Sequence, residues 1–582
     1  MINVDPVRRA VAASFCGAVA SLFVLATPAA QAASVAPVAA ENGMVVAAQH
    51  LATRVGVDVL KDGGNAVDAA VAVGYALAVV YPAAGNLGGG GFMTLQLADG
   101  RKTFLDFREK APLAATRDMF LGPDGQVVKG LSTTGHLAVA VPGTVSGLEL
   151  ALTKFGTMKR AALVAPAITL AERGFVLDAG DVALLATATE AFRRDPASAA
   201  IFLNQGQPWH VGERLVQADL ARTLRRISDQ GTTGFYQGPV GAAIAASSLA
   251  GKGLITQADL DQYRTRELAP VECDSRGLHV VSAPPPSSGG VVICQMLGVL
   301  AGYPLKDWGF RSARAVHVQI ETMRHAYVDR NSSLGDPDFV SNPIERLLSP
   351  AYAEKIRAAI DPARAGVSQQ IKPGVAPHEG SNTTHFSIVD RFGNAVSLTY
   401  TLNDWFGAKV LAAGTGVLLN NEMDDFTIKL GVPNLYGLVQ GEANAIAPGK
   451  RPLSSMSPTI LSQDGKPLMV LGTPGGSRII TAVLHTILNV VDYGMNVQEA
   501  VDAPRFHQQW LPEATNLEPF ALSPDTQQIL VGMGHQFSGP QPANHVAAIL
   551  VGAPTLGGKP VAGQRFFGAN DPRRNSGLAL GY

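Results

Sequence analysis

Apolar residues fill the segment between Asn65 and Pro82, in which Asp68 is the only charged residue. A helix that is apolar on every side is buried on every side, and this one is too short to cross a bilayer. Asn65 is a suitable N-cap and Pro82 a suitable stop. The pattern therefore predicts a helix in the protein core.

Elsewhere, the apolar spacing separates a helical stretch from a strand-rich one. Residues 140–370 are interpreted as helix with interruptions, for example over residues 313–329. After residue 383, alternating runs predict one hairpin around Arg391–Asn394 and a second around Gln463–Lys466, which contains an Asp-Gly turn. Strands bracketed by helices predict a layered α/β fold.

Glycine-rich segments adjoin these elements. Gly85–Phe92 leads into a predicted strand, which is the reverse of a nucleotide-binding loop, and no Lys-Ser/Thr follows; close backbone packing is the better interpretation. Pro284–Gly290 is interpreted as a structural turn that opens a helix. Gly475 and Gly476 precede a helix predicted over residues 477–492. No Walker A, His-Glu-x-x-His, Cys-x-x-Cys or Gly-x-Ser-x-Gly motif occurs.

The first 32 residues resemble an export signal. Arg8 and Arg9 precede an apolar run, and Ala30-Gln31-Ala32 has the small-x-small form of a cleavage site. Residues 1–32 are therefore predicted to be a cleavable signal peptide, which implies a periplasmic or secreted protein. An uncleaved membrane anchor is the alternative, because the apolar run is about long enough to span a bilayer.

Charge and cysteine content limit the partners. The 582 residues include 46 Lys+Arg and 47 Asp+Glu, a net charge of -1. We therefore expect no nucleic-acid partner, and no membrane contact after signal removal. Of three cysteines, Cys273 and Cys294 remain in the mature chain; one disulfide or two buried free thiols fit the sequence equally well.

Asn382-Thr383-Thr384 directly precedes the first predicted hairpin. An internal threonine is a poor nucleophile, whereas a threonine at a new N-terminus has its own α-amine as general base. By itself the segment is better explained as an ordinary polar turn, and it also matches a glycosylation sequon. The nucleophile interpretation becomes the better one only when the motifs that accompany this segment are considered.

Long motifs follow one another along the chain. Those from Thr383 onward are Thr383–Ser387, Gly393–Val396, Thr399–Asn403, Leu419–Phe426, Arg451–Thr459, Gly472–Arg478 and Asp571–Arg573. Those upstream are Gly63–Asp68, Gly85–Phe92, Asp106–Glu109 and Pro284–Gly290. Together they resemble the γ-glutamyltransferase family (γ-glutamyl transpeptidase, glutathione hydrolase), in its lid-containing bacterial form, over nearly the whole mature chain.

This resemblance implies an N-terminal-nucleophile hydrolase, a four-layer αββα sandwich built from both halves of an autocleaved precursor. Cleavage between Asn382 and Thr383 would give a large subunit of residues 33–382 and a small subunit of residues 383–582, which remain together as a heterodimer. The implied activity cleaves the γ-glutamyl bond of glutathione and related compounds, and transfers the glutamyl group to water, amino acids or dipeptides. No metal or organic cofactor is implied.

The family's functional residues match single positions of this chain. Thr383 matches the nucleophile, and Thr401 matches the threonine whose hydroxyl supports it. Gly475 and Gly476 match the oxyanion hole, which suits backbone amides at the start of a helix. The residues matching the α-carboxylate site are Arg108, Ser454 and Ser455, and those matching the α-ammonium site are Asn403, Glu422 and Asp425.

Residues 429–441 resemble the lid loop of the bacterial members, with Tyr436 reaching over the pocket. Glu422 stands where many bacterial members have glutamine, which makes the α-ammonium site more negative. Asp404 and Trp405 replace small residues and are expected to affect pocket width and acceptor preference.

Three alternatives are less consistent with these residues. A cephalosporin-acylase-like enzyme would use a substrate without the α-amine, and would gain nothing from Glu422 and Asp425. An inactive relative would have lost Thr383 or the glycine pair. A secreted structural protein would not need Arg108, Ser454 and Asp425 together.

Overall fold

The structure is a computed structural model that describes residues 34–371, 383–539 and 544–582. The predicted signal peptide and Asn382 lie outside these ranges. Residues 36–582 belong to one compact unit. None of the helices in the described ranges has the length and apolar character that a bilayer crossing requires.

Two antiparallel seven-stranded sheets form the centre of this unit. From edge to edge, sheet 1 contains β1 (Val38–Ala40), β20 (Phe566–Asn570), β19 (Ala547–Val551), β15 (Lys466–Gly472), β14 (Thr459–Gln463), β9 (Leu278–Ser282) and β8 (Val271–Ser275). Sheet 2 contains β21 (Leu578–Gly581), β2 (Met44–Ala47), β10 (Thr384–Val389), β11 (Ala395–Thr401), β3 (Gly90–Gln96), β4 (Lys102–Phe107) and β7 (Arg266–Leu268). Smaller pairings involve β5 (Phe175–Val176) with β6 (Arg214–Leu215), β12 (Leu411–Ala412) with β13 (Val417–Leu418), and β16 (Phe506–His507) with β17 (Thr515–Leu517) and β18 (Phe537–Ser538).

Helices cover the outer faces of both sheets, and further helices pack on this layer. In chain order they are α1 (His50–Lys61), α2 (Ala66–Val80), α3 (Thr144–Phe155), α4 (Arg160–Arg173), α5 (Ala179–Ala186), α6 (Thr189–Phe192), α7 (Pro196–Phe202), α8 (Ala218–Gln230), α9 (Thr233–Tyr236), α10 (Gly238–Ala250), α11 (Gln257–Gln262), α12 (Gly289–Leu300), α13 (Leu305–Trp308), α14 (Ala313–Ser333), α15 (Ile344–Leu348), α16 (Pro350–Ala359), α17 (Arg478–Val491), α18 (Val497–Asp502) and α19 (Pro524–Gly532).

The order of layers is helix, sheet, sheet, helix. Helices α2 and α3 pack on sheet 2, while α12, α17 and α18 pack on sheet 1. The inner faces of the two sheets contact each other where β10 and β11 meet β15. The four-layer αββα prediction is therefore confirmed.

Helix α2 shows why its sequence is almost free of charge. All of its residues are buried, and Asn65 and Asp68 form a capping box at its start. The Asp68 carboxylate also accepts hydrogen bonds from the backbone N–H and the hydroxyl of Thr157. The predicted N-cap at Asn65 is confirmed, and the single charge in this helix helps to close its N-terminus.

The face between the sheets combines apolar side chains, such as Val46 and Val470, with polar ones on β10 and β11. The His385 ring is hydrogen-bonded through Nδ1 to the Thr399 hydroxyl at 2.8 Å and through Nε2 to the Ser387 hydroxyl at 3.1 Å. The Ser397 hydroxyl donates to the Leu471 carbonyl at 2.9 Å. Burial lowers the pKa of His385 to about 3, so its ring remains neutral.

Both predicted hairpins and the helix after Gly476 are confirmed. Strands β10 and β11 pair around residues 390–394, and β14 and β15 pair around Asp464 and Gly465, whose positive φ angles of 49° and 76° suit the tight turn. The helical interpretation of residues 140–370 was wrong for β5, β6, β7, β8 and β9. These strands are too short to show a period distinct from that of the neighbouring helices.

Each sheet combines strands from before and after residue 383. In sheet 2, β10 and β11 lie between β2 and β3, and in sheet 1, β14 pairs with β9. Cys273 of β8 and Cys294 of α12 form a disulfide, which decides between the two states the sequence left open. The paired strands bring several loops to one end of the sandwich, next to Thr383.

Candidate active site

Thr383 and Thr401 lie opposite each other at the same end of β10 and β11. The register pairs Thr384 with Tyr400, so Thr383 faces Thr401 across the ladder. Both are buried, and the Thr401 hydroxyl donates to Thr383 Oγ1 at 3.4 Å while accepting from the Asn403 N–H at 2.8 Å. The structure thus brings together the predicted nucleophile and its predicted supporting hydroxyl.

The glycine tract before β3 packs against this strand end. A Cβ on Gly89 would lie 1.9 Å from the Thr401 carbonyl oxygen, and a Cβ on Gly88 would lie 2.2 Å from the Leu418 carbonyl oxygen. Real Cβ atoms do not approach backbone that closely, so both positions require glycine. This confirms the interpretation of the tract as close backbone packing.

Gly475 and Gly476 follow β15 and precede α17, with positive φ angles of 132° and 56° that other residues rarely adopt. A Cβ on Gly476 would lie 2.3 Å from the Tyr436 ring. Gly476 lines the same cavity as Thr383. Backbone amides at the start of a helix are suitable donors for an oxyanion, as the sequence predicted.

Arg108 follows β4 and is 1% exposed. Its guanidinium pairs with the carboxylates of Glu422 and Asp425 in two short contacts, and its Nε–H donates to the Pro452 carbonyl at 3.2 Å. Burial lowers the pKa of Arg108, but the two carboxylates outweigh it and raise the pKa above its ordinary value. The residues predicted to hold opposite ends of a zwitterion are therefore paired with each other.

Glu109 is a further carboxylate here that the sequence analysis did not assign. It is fully buried, lies 3.6 Å from the Arg108 guanidinium, and neither of its oxygens has a hydrogen-bond partner in the described residues. Burial raises the pKa of Glu109 to about 7. Burial also raises the pKa of Glu422 well above its usual range, and the charge of Glu109 adds to this effect. Glu109 stands next to Arg108 in the Asp106–Glu109 motif, and this position was the sequence signal that could have identified it.

Arg330 is the second unassigned residue. It projects from α14 into the cavity, where it donates to the hydroxyls of Ser455 at 2.9 Å and Ser288 at 3.0 Å, and to Gln440 Oε1 at 3.2 Å. It forms no ion pair within the described ranges, and burial lowers its pKa to about 10. Arg330 lies seven residues, about two helical turns, after the buried Met323, so the helical period places it on the buried face. A charged residue at such a position was the sequence signal that could have identified it.

Ser454 is positioned by the turn at residues 284–290. Its N–H donates to the Pro286 carbonyl at 2.8 Å, and its carbonyl accepts from the Ser288 N–H at 2.8 Å. The Ser454 hydroxyl accepts from the Met456 N–H at 3.1 Å. The turn interpretation is confirmed, and the turn also orients one of the predicted substrate-binding hydroxyls.

Tyr436 belongs to the loop predicted to be a lid, and it closes one side of the cavity. Its hydroxyl donates to the Asn403 carbonyl at 2.5 Å, and its ring packs against Gly476. Asn403 has a positive φ of 75° and donates its side-chain N–H to the Asn421 carbonyl at 3.0 Å. Trp405 does not line the cavity: the Arg574 guanidinium lies 4.3 Å from its ring centroid.

The cavity itself is small. It has a volume of ≈ 20 Å³, room for about one water molecule. Its lining includes every predicted catalytic and substrate-binding residue except Gly475, namely Arg108, Thr383, Thr401, Asn403, Glu422, Asp425, Tyr436, Ser454, Ser455 and Gly476. The ion pairs of Arg108 occupy the space that an amino-acid group would need.

Two facing antiparallel sheets between helical layers, with a threonine at the start of a central strand, define an N-terminal-nucleophile hydrolase. The model of the gamma-glutamyltranspeptidase family matches residues 52–581. The chain belongs to the gamma-glutamyltranspeptidase family.

Similarity to individual proteins agrees with this assignment. The chain is 74% identical over 552 residues to the glutathione hydrolase proenzyme of Pseudomonas sp. (strain A14), covering 95% of this chain and 96% of that protein. The crystal structure of cephalosporin acylase from Bacillus halodurans matches with a TM-score of 0.80 and 27% identity, over 96% of this chain and 99% of that one. The crystal structure of Helicobacter pylori gamma-glutamyltranspeptidase matches with a TM-score of 0.56 and 43% identity, over 61% of this chain and 100% of that one.

Proposed function

We propose that this chain is an autoprocessed enzyme that uses Thr383 to cleave the γ-glutamyl bond of glutathione and related γ-glutamyl compounds. The glutamyl group passes to water or to an amino acid or dipeptide. The main support is the cavity in which Thr383 and Thr401 face Arg108, Glu422 and Asp425.

The reaction follows from the groups at the cavity. Once the chain is cut before Thr383, the α-amine of Thr383 is free. This amine accepts the proton of the Thr383 hydroxyl as Oγ1 attacks the γ-carbonyl carbon of the substrate. The backbone amides of Gly475 and Gly476 stabilise the tetrahedral oxyanion. Collapse expels the amine, which takes up the proton, and leaves a γ-glutamyl ester on Thr383. Water or an acceptor amine then attacks this ester and regenerates the threonine.

The ion pairs of Arg108 suggest how the glutamyl group is recognised. A substrate α-carboxylate replaces Glu422 and Asp425 at the guanidinium, while the α-ammonium takes over the two released carboxylates. The guanidinium exchanges the protein carboxylates for the substrate carboxylate, and the protein carboxylates exchange the guanidinium for the substrate ammonium. No buried ion therefore remains unpaired. Arg330 supports the carboxylate end through Ser455.

The same exchange argues against a cephalosporin-acylase activity, which the structural similarity to the Bacillus halodurans enzyme raises as a second candidate. A glutaryl group has a carboxylate but no ammonium. It would occupy Arg108 and leave Glu422 and Asp425 buried without a cation, which is costly. The site therefore favours a donor with an α-amine.

We further propose export and cleavage into two subunits that remain associated. The predicted fragments are residues 33–382 (350 residues) and 383–582 (200 residues). The matched Helicobacter pylori chain aligns over its full length with 61% of this chain, close to the 60% that 350 of 582 residues represent. The Cys273–Cys294 disulfide suits an oxidising compartment.

The decisive experiment combines denaturing electrophoresis with a paired substrate assay. The purified protein is expected to show two fragments, with Thr383 as the N-terminal residue of the smaller one. It should cleave a γ-glutamyl anilide at least about 100-fold faster, in kcat/KM, than the glutaryl anilide that lacks the amine, because the loss of a buried ion pair costs about 3–5 kcal/mol.

An equal rate on both anilides would contradict the proposed recognition while leaving the nucleophile intact. An active, uncut chain would contradict the N-terminal threonine mechanism. Adding a dipeptide acceptor to the same assay measures the share of transfer against hydrolysis.

A further inference from the structure

A buried cluster of metal-binding side chains lies away from the cavity. His317 and Glu321 are four residues apart on α14, which places them on one face of the helix, and His535 follows α19. All three are at most 3% exposed. One ligand atom from each residue lies within 4.8 Å of the other two, the only such group in the described ranges.

The hydrogen bonds of His317 fix which nitrogen faces the cluster. Its Nε2 lies 2.7 Å from the Asp361 carbonyl, so Nε2 carries the proton and donates it. Its Nδ1 therefore presents a lone pair towards His535 Nε2, 2.7 Å away. A backbone carbonyl on the remote nitrogen is the usual arrangement around a metal-bound histidine.

Other atoms of the cluster have no partner. Glu321 Oε1 and His535 Nδ1 are buried without a hydrogen bond in the described part of the chain. Arg324, the nearest cation, has its Nε 3.5 Å from Glu321 Oε1, while its Nη1 bonds to Glu513 and to the Ser368 hydroxyl. A buried carboxylate oxygen without a hydrogen bond is costly, and the 3.5 Å contact with Arg324 does not supply one, so this atom is poised to accept a cation.

The local charge points the same way. Two carboxylates, Glu321 and Glu513, share the single guanidinium of Arg324, which leaves one negative charge in excess when both are ionised.

We propose that His317, Glu321 and His535 bind one divalent transition-metal ion, with Zn²⁺ as the best match to a donor set of two imidazoles and a carboxylate. Zinc bonds of about 2.0 Å in tetrahedral geometry separate two nitrogens by about 3.3 Å. Binding therefore widens the His317–His535 contact by roughly 0.6 Å and replaces the proton between them. The site is structural and distinct from γ-glutamyl transfer.

The position of the site gives it a consequence for assembly. His317 and Glu321 belong to the proposed large subunit and His535 to the proposed small one, so the ion would connect them. Glu321 is nine residues from Arg330 on the same helix, about 14 Å along its axis. The ion is therefore outside the cavity but on the helix that supplies Arg330.

The test uses the purified, full-length protein after chelator treatment and dialysis. Zn²⁺ is titrated by calorimetry into the wild type, Glu321→Gln and His535→Gln, with His325→Gln as a control for a histidine on the same helix outside the cluster. We expect about one Zn²⁺ per chain in the wild type and the control, and at least about tenfold weaker binding in both cluster variants.

A measurement on the wild type alone covers the case in which a cluster variant does not fold. X-ray absorption of the protein loaded with one equivalent of Zn²⁺ should show two imidazole ligands. No stoichiometric binding, equal affinity in His535→Gln, or a shell without two imidazoles would each overturn the proposal. The cluster would then be a neutral histidine pair held by a hydrogen bond.

Discussion

The two sides of the cavity are built from different chemistry. The side of Thr383 and Thr401 consists of hydroxyls and backbone groups at the ends of paired strands. The opposite side consists of charged side chains from separate loops, centred on Arg108. The first is fixed by the sheet and carries no net charge, whereas the second must exchange ion pairs to admit a substrate. We therefore expect changes on the first side to lower kcat and changes on the second to raise KM.

The largest effect is expected from Thr383→Ala. Loss of the nucleophile should leave a single uncut chain and lower kcat at least about 10⁴-fold, as in other enzymes whose nucleophile is removed. Thr384→Val is the matched control, because the buried Thr384 hydroxyl has no partner among the described residues. Electrophoresis and the γ-glutamyl anilide assay measure both effects. An inactive Thr384→Val variant would show that the strand, and not the hydroxyl, is the sensitive element.

Asp425→Asn tests the charged side. Removing one carboxylate from the Arg108 cluster should raise KM for the γ-glutamyl anilide by about 100-fold with a smaller change in kcat, because a buried ion pair is broken. Asp424→Asn is the control: Asp424 is also buried but accepts from the Ser132 hydroxyl at 2.6 Å and does not line the cavity. A fall in kcat with KM unchanged would remove the distinction between the two sides.

The fold was largely predictable and the pairing of charges was not. Local patterns located both hairpins and α2, since turn residues and caps act over a few positions. Arg108 and Glu422 are 314 residues apart in sequence, so only the assembled sheets show that they are in contact. Arg330 carries no recognisable motif beyond its place on the buried face of α14. The family resemblance assigned roles to residues but gave no distances between them.

Asp425→Asn also tests the pH dependence of the charged side. The raised pKa of Glu109, about 7, means that this carboxyl keeps its proton below that pH and adds a negative charge above it. The α-ammonium of the donor should then bind better, so KM should fall by several-fold between about pH 6 and pH 8. In this variant, the charge of Asp425, which raises the Glu109 pKa, is absent, and the change in KM should shift to lower pH.

The comparison in this case is between two pH profiles of KM measured on the same substrate. Glu149→Gln replaces a buried carboxylate that is paired with Arg160 and does not line the cavity, so this variant should keep the wild-type profile. Superimposable profiles for wild type and Asp425→Asn would assign the pH dependence to another group.

The smallest effect is expected from Tyr436→Phe, which lies between the two sides. It removes the hydrogen bond to the Asn403 carbonyl, worth about 0.5–1.5 kcal/mol, and should lower kcat/KM by a few-fold. The share of transfer relative to hydrolysis should change as the loop opens more readily. Tyr400→Phe, whose hydroxyl bonds to the Gly74 carbonyl on the helical face of the sheet, should leave that share unchanged.

The alternation of strands from before and after residue 383 has a consequence for unfolding. A precursor refolds as one molecule, but after a cut at Thr383 the strands of each sheet belong to two separate chains. Once heat separates those chains, recovery becomes a second-order encounter between aggregation-prone pieces. The mature enzyme would then owe its lifetime to the height of its unfolding barrier, and its shelf life would depend on dilution in a way that the precursor's does not.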